Sequence, residues 1–137
     1  MSPSGQERIF KQSYAAELLS IAEGDWKTAR YLYAGLKDHA IRNENYFFQV
    51  QQVLEKLMKA VLVSRKLPVP LVHDLGILLA KIPNEIEPTN KLSACASVWL
   101  YEEGSLAWEE TEAEEAYVLA EQALQWARSL IGKETQE

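Results

Sequence analysis

Apolar residues recur three and four positions apart along almost the whole chain, which is the spacing of one face of an α-helix. β-branched residues are sparse, and they do not alternate with polar residues over the length of a strand. Strict alternation is the pattern of a half-buried β-strand, so its absence argues against a sheet. The pattern therefore predicts an all-α chain.

The first third of the chain is predicted to form two helices. The first spans about residues 6–22, and Gly24 is predicted to end it. Asp25 can then cap a second helix that extends to about Lys37. A glycine inside a helical pattern is not always a full break, so one kinked rod is the alternative.

The remaining pattern predicts four further helices, at about residues 44–66, 73–82, 89–101 and 111–132, with a polar loop at 102–110. The helix at 44–66 has the broadest apolar stripe and is predicted to be central. On its opposite face, Glu55 and Lys59 have the favoured i, i+4 order and are predicted to form an ion pair. Thr111 and Glu114 have the spacing of a capping box at the start of the last helix, and Gly132 is predicted to end it.

The length of 137 residues suits one ordinary domain, which we place at residues 6–132. We expect residues 1–5 and 133–137 to be disordered tails. The start of the chain lacks the basic and apolar segments of a secretory signal, and no window approaches 18 consecutive apolar residues. We therefore expect a cytoplasmic protein with no membrane segment.

The formal net charge is −6, from 14 basic and 20 acidic residues. A general polyanion binder gains its affinity from phosphate neutralisation, so this balance argues against DNA binding and restricts any RNA contact to a local site. Two separated histidines and the single Cys95 give no metal-ligand spacing, and no glycine-rich phosphate loop occurs. We expect no metal and no cofactor.

The segment at 51–62 reads QQVLEKLMKAVL, and His73-Asp74-Leu75 follows after a short linker. This combination resembles the HEPN domain family. The resemblance implies an antiparallel up-and-down bundle of four to five main helices that commonly forms a homodimer. It also implies one of three functions: a ribonuclease toxin, a partner of a minimal nucleotidyltransferase in a toxin–antitoxin-type pair, or a module that binds a nucleotide or RNA.

The ribonucleases of that family carry an arginine, four to six residues, and then a histidine. Here seven residues separate Arg65 from His73 and eight separate Arg30 from His39, so the motif is absent. We therefore predict no catalytic residues in the leading interpretation. A degenerate ribonuclease that cleaves RNA without metal is the second interpretation, with His73 as acid and base and Arg65 or Lys66 as the cation across a dimer cleft.

The candidate ligand-binding residues are Gln52, Lys56 and Lys59 on the central helix, with His73 and Asp74 after the linker. Lysine offers a point charge and glutamine a paired donor and acceptor. The structural alternative is a solvated helix face, with His73 holding the linker and Asp74 at a helix start.

The leading interpretation is a non-catalytic HEPN-like module that binds a nucleotide or a partner protein. A purely structural dimer is the third alternative, in which the acidic surface at 102–115 binds a basic partner.

Overall fold

Four helices and one short pairing of strands form the part of the chain that the computed structural model describes, which is residues 6–38, 41–83, 85–86 and 110–135. In chain order, the elements are β1 (Glu7–Arg8), α1 (Tyr14–Leu36), α2 (Asn43–Ser64), β2 (Val69–Pro70), α3 (Leu75–Lys81) and α4 (Glu110–Thr135). The predicted all-α class is confirmed. The predicted helix at 89–101, Cys95 and His39 lie outside the described residues.

α2 is the central helix, as predicted, and α1, α3 and α4 all pack against it. Most of its side chains are buried, because its apolar residues spread around more of the helix than a single stripe. The hydroxyl of Tyr46 on α2 donates to the Ala113 carbonyl of α4 over 2.8 Å. Burial raises the pKa of this hydroxyl above its ordinary value, so it stays a donor.

Contacts between α1 and α2 show that these helices are antiparallel. Asp25 of α1 pairs with Lys56 of α2, whereas Tyr33 of α1 packs against the earlier α2 residue Tyr46, with ring centroids 5.5 Å apart. α4 is antiparallel to α1 by the same criterion, since Arg128 lies beside Glu23 and Tyr117 beside Tyr33. The described helices therefore form the bundle that the resemblance implies.

α1 is one helix through Gly24, so the predicted break at this residue is wrong and the predicted cap at Asp25 is absent. A glycine in a helix interior costs only about 1 kcal/mol relative to alanine, which burial of the flanking residues Ala22 and Trp26 outweighs. α4 likewise continues through Gly132 to Thr135, so the predicted end of the helix at Gly132 is wrong.

The starts of two helices also differ from prediction. Residues 6–13 are not helical, because Glu7–Arg8 pairs antiparallel with Val69–Pro70 and the Gln6 carbonyl accepts from the Leu71 amide at 3.0 Å. The described part of α4 starts at Glu110, one residue before the predicted cap Thr111, and residues 87–109 lie outside the described part of the chain.

The N-terminal segment, residues 6–13, connects three parts of the bundle. Gln12 Nε2 donates to the Ser64 carbonyl at the end of α2 over 2.8 Å, and Glu7 pairs with Lys81 of α3 at 2.8 Å. Together with the strand pairing, these contacts hold the linker between α2 and α3 on the bundle. Within the described residues, no helix has the length and apolar character that crossing a membrane requires.

α2 ends at Ser64, two residues before the predicted position. The turn that follows contains Lys66 with a positive φ of 58°. The Leu67 amide donates to the Leu62 carbonyl and the Lys66 amide to the Val63 carbonyl, both at 3.0 Å. This is the Schellman arrangement, which satisfies two carbonyls that the helix end leaves free. The chain then turns back along the bundle and leads to His73.

Gly24→Ala is predicted to raise the free energy of unfolding by about 0.5–1 kcal/mol, because alanine restricts the unfolded chain and a Cβ at this exposed position meets nothing within 4 Å. Urea denaturation measures the change. Gly35→Ala is the matched control in the same helix. There a Cβ would lie 2.5 Å from Ile41 Cγ1, so we expect a loss of stability. Equal effects of the two substitutions would contradict the prediction.

Candidate functional site

Four polar side chains of α2 share one face of the helix, and we call this set the polar stripe: Gln52, Glu55, Lys56 and Lys59. Their spacing of three, four and seven residues brings them together on a helix surface. The stripe faces two neighbouring segments, since Asp25 of α1 contacts Lys56 and His73 of the linker contacts Glu55. It therefore lies where α1, α2 and the start of α3 meet.

Glu55 is the centre of this arrangement, and only 4% of its surface is exposed. Its carboxylate receives two partners: Lys59 Nζ lies 3.1 Å from Oε2, and His73 Nδ1 lies 3.0 Å from Oε1 and 3.1 Å from Oε2. A buried carboxylate without partners would cost several kcal/mol, so these contacts are what permit its burial. The predicted Glu55–Lys59 pair is confirmed.

His73 has one nitrogen on the buried carboxylate while 82% of its side chain is exposed. In a neutral imidazole that donates from Nδ1 to Glu55, Nε2 is the acceptor, and it faces solvent. A carboxylate behind a histidine fixes both its tautomer and its orientation. The structure thus presents an oriented Nε2 to a ligand.

Gln51 holds the backbone of His73 in place, because its Nε2 donates to the His73 carbonyl over 3.3 Å. Gln51 is 6% exposed, and its Oε1 is buried without a hydrogen-bond partner among the described residues. This amide therefore belongs to the interior of the bundle. It gives the linker a second contact with α2 beside the Glu55 carboxylate.

Lys56 forms an ion pair with Asp25 of α1, in which both side chains are about three-quarters buried. Lys59 is likewise paired with Glu55, so both lysines that the sequence nominated already contact a carboxylate. The two positive and two negative charges cancel. The stripe therefore offers little net attraction to phosphate, and Gln52, half-buried on the same face, adds no charge.

Asp74 caps α3, since its Oδ1 accepts from the amides of Gly76 at 2.8 Å and Ile77 at 3.3 Å. This is the structural role that the sequence offered as the alternative to ligand binding, and it fixes the helix that follows His73. The cap also places a negative charge at the positive end of α3.

Arg65 and Lys66 lie at the end of α2, ten residues beyond Glu55 and thus about 15 Å along the helix axis. His73 is held beside Glu55, so a single chain does not bring Arg65 next to it. The cation that does lie near His73 is Lys59. Its Nζ is within about 6 Å of His73 Nδ1, because each atom lies 3.1 Å from Glu55 Oε2.

A comparison with known domain families matches residues 15–130 to the HEPN domain. The chain belongs to the HEPN domain family. The matched range includes the polar stripe, His73 and most of α1 and α4, so it covers the elements that build the candidate site. HEPN membership supports a nucleotide- or RNA-related module. Comparisons with curated proteins and with solved structures give no match.

Sequence reasoning missed the central place of Glu55 and the role of Asp25. Glu55 was identified only through its spacing from Lys59, because a lone glutamate on an amphipathic helix ordinarily indicates solvent exposure. Its neighbours Val53 and Leu54 gave one signal for its burial. Apolar residues occupy so much of the surface of α2 that little of the helix can face solvent. The Asp25–Lys56 pair joins residues 31 positions apart, and no local pattern indicates it.

Glu55→Ala is predicted to lower the free energy of unfolding by roughly 2–4 kcal/mol, because it leaves Lys59 mostly buried without its carboxylate. His73→Ala should cost below about 1 kcal/mol, since that side chain is largely exposed. Chemical denaturation of both variants measures this difference. Similar losses from the two variants would show that burial of Glu55 does not control the stability of the cluster.

Proposed function

We propose that this HEPN chain is a non-catalytic module that binds a nucleotide or RNA, with His73 at its contact surface. One observation supports the proposal most strongly: an exposed imidazole is held in one orientation by a buried carboxylate. An exposed histidine without such support would rotate freely and lose more entropy on binding. His73 is therefore already ordered for a ligand.

The chemistry of the site favours a polar contact over a phosphate contact. His73 Nε2 can accept a hydrogen bond from a ribose hydroxyl or from a base amino group. The cancelled charges of the stripe offer no surplus cation for phosphate, and the whole chain is acidic. Recognition through sugar or base groups fits both observations, because neither depends on counterion release.

Cleavage has weaker support in the single chain. Cleavage of RNA without metal needs a base, a proton donor and a cation near the developing negative charge. Lys59 is the cation near His73, and it is paired with Glu55. Arg65, which the ribonuclease interpretation requires, lies at the far end of α2. The arrangement therefore supports binding first.

The ribonuclease remains the second candidate function because of the Glu55–His73 contact. A carboxylate bonded to one imidazole nitrogen, with the other nitrogen exposed, is the arrangement that general acid–base catalysts use. In this candidate, Nε2 takes the proton of a ribose 2′-hydroxyl, and the cation comes from Arg65 or Lys66 of a second copy.

Binding and cleavage can be measured on the same samples. We expect ATP or a short single-stranded RNA to bind the purified chain, and His73→Ala to weaken that binding about tenfold through loss of one oriented hydrogen bond. His39→Ala removes the other histidine and is the matched control, with no change expected. Mixed cellular RNA without added metal should stay intact. Cleavage that His73→Ala abolishes would establish the second candidate in place of the first.

The same proposal includes a partner and a location. We infer that the chain forms a homodimer in the cytoplasm and pairs with a separately encoded minimal nucleotidyltransferase, as the family resemblance implies. Support for a protein contact comes from apolar side chains that the described surface exposes: Ile9, Ile21, Tyr31, Phe48, Leu71 and Val118.

Light scattering should give about twice the chain mass of 15.6 kDa for the isolated protein. Co-expression with a minimal nucleotidyltransferase from the same genome should give one complex on size-exclusion chromatography. A chain that does not bind the nucleotidyltransferase but co-purifies with a basic protein would favour the structural alternative. That alternative uses the acidic surface at 102–115, of which residues 102–109 lie outside the described residues.

A further inference from the structure

A groove with a volume of about 160 Å³ lies between α1 and α4, on a different side of α1 from Asp25. It is lined by Trp26, Arg30, Glu121, Leu124, Gln125 and Arg128. Sites that enclose a whole drug-sized ligand measure about 300–1,000 Å³. A single water occupies about 30 Å³ of liquid, so this groove has room for one small group and its hydration rather than for a nucleotide.

Arg128 is held in the groove by Glu23 of α1. Its Nε and Nη2 lie 2.8 Å and 2.6 Å from Glu23 Oε2. A guanidinium has five N–H donors in a planar fork, so contact with one oxygen leaves three donors for another acceptor. The ion pair therefore orients the guanidinium without using all its donors.

Arg30 of α1 lines the same groove and is exposed to solvent. None of the ion pairs among the described residues includes it. Gln125 of α4 adds an amide donor to the lining. Two guanidinium groups and an amide are a donor set that suits the oxygens of a phosphate group, and arginine binds phosphate through paired hydrogen bonds.

We propose that the groove between α1 and α4 binds one phosphate group of the nucleotide or RNA ligand, between Arg30 and Arg128. This inference rests on the proposed function, in which the ligand carries phosphates, and it assigns them to a site other than the polar stripe. The division follows from the availability of the donors, because the lysines of the stripe are both ion-paired and mostly buried, whereas Arg30 is exposed and has no ion-pair partner among the described residues. Glu121 is the opposing charge in the groove.

The test is a ¹H–¹⁵N NMR titration of the full chain with inorganic phosphate, ATP, and one short RNA prepared with a 5′-phosphate or a 5′-hydroxyl. The amides around Arg30 and Gln125 should shift with phosphate and with ATP. A stronger response to the 5′-phosphorylated RNA than to the 5′-hydroxyl RNA would identify a terminal phosphate as the bound group. Equal responses to the two RNAs, with ATP still bound, would identify a free nucleotide as the source.

Arg30→Gln should weaken phosphate and ATP binding about tenfold, the loss of one charge-assisted contact. Lys27→Gln is the matched control, because it removes the same charge from an exposed position one turn away on α1 that does not line the groove. We expect an effect below about twofold there. Equal losses of affinity in the two variants would show that only the overall charge of the chain matters, and would overturn the inference.

Glu121→Gln should change the phosphate affinity in the opposite direction from Arg30→Gln. Removal of the one carboxylate in the lining should tighten phosphate binding, whereas a groove that binds an amine or another cation would lose affinity. Unfolding by heat, measured for each variant, shows whether the fold is intact. Tighter binding in Glu121→Gln with weaker binding in Arg30→Gln supports the inference, and weaker binding in both contradicts it.

Failure of this inference is distinguishable from failure of the proposed function. ATP binding that depends on His73 and not on Arg30 would contradict the phosphate site in the groove and would still support the proposed function. Binding of inorganic phosphate at the groove, with neither ATP nor RNA bound, would support the groove and overturn the proposed function. A titration in which no probe shifts the groove amides would overturn the groove outright.

Discussion

A buried carboxylate controls the arrangement of this molecule. Glu55 lies on the most buried helix of the bundle, and its negative charge is tolerated there because Lys59 and His73 both contact it. Lys59 comes from the same helix, one turn further on, but His73 comes from the linker beyond β2. This contact, together with the β1–β2 pairing, holds the linker on the bundle, and Asp74 then starts α3 immediately beside it.

The same pairing limits what the site can do. Each lysine that stabilises a carboxylate is less available to a phosphate, so the stripe together with Asp25 has no net charge to offer. The site offers an oriented hydrogen-bond acceptor instead, since Glu55 fixes one nitrogen of His73 and leaves the other exposed. Arg30 in the groove between α1 and α4 has the opposite character, because its charge has no ion-pair partner among the described residues.

The helices, the central place of α2 and the Glu55–Lys59 pair follow from local periodicity, and all three were predictable from the sequence. The break expected at Gly24 was wrong because a helix propensity of about 1 kcal/mol is small beside the burial of the neighbouring residues Ala22 and Trp26. The strand at Glu7–Arg8 was missed because two residues carry no pattern and their partners lie more than sixty positions away. The pairs that complete the site, Asp25–Lys56 and Glu55–His73, are likewise long-range.

The position of His73 also bears on how HEPN chemistry would arise in a dimer. Glu55 fixes the imidazole against its own chain, about 15 Å along α2 from Arg65, so the two residues of one chain act at separate places. A catalytic pairing would therefore require the end of α2 from one copy to approach the stripe of the other. That approach would bring an arginine to a cluster whose own cations are already paired, and would supply the charge that the single chain lacks. In such a dimer, the relative placement of the two copies, rather than a change in the fold of the chain, would separate a binding module from a nuclease.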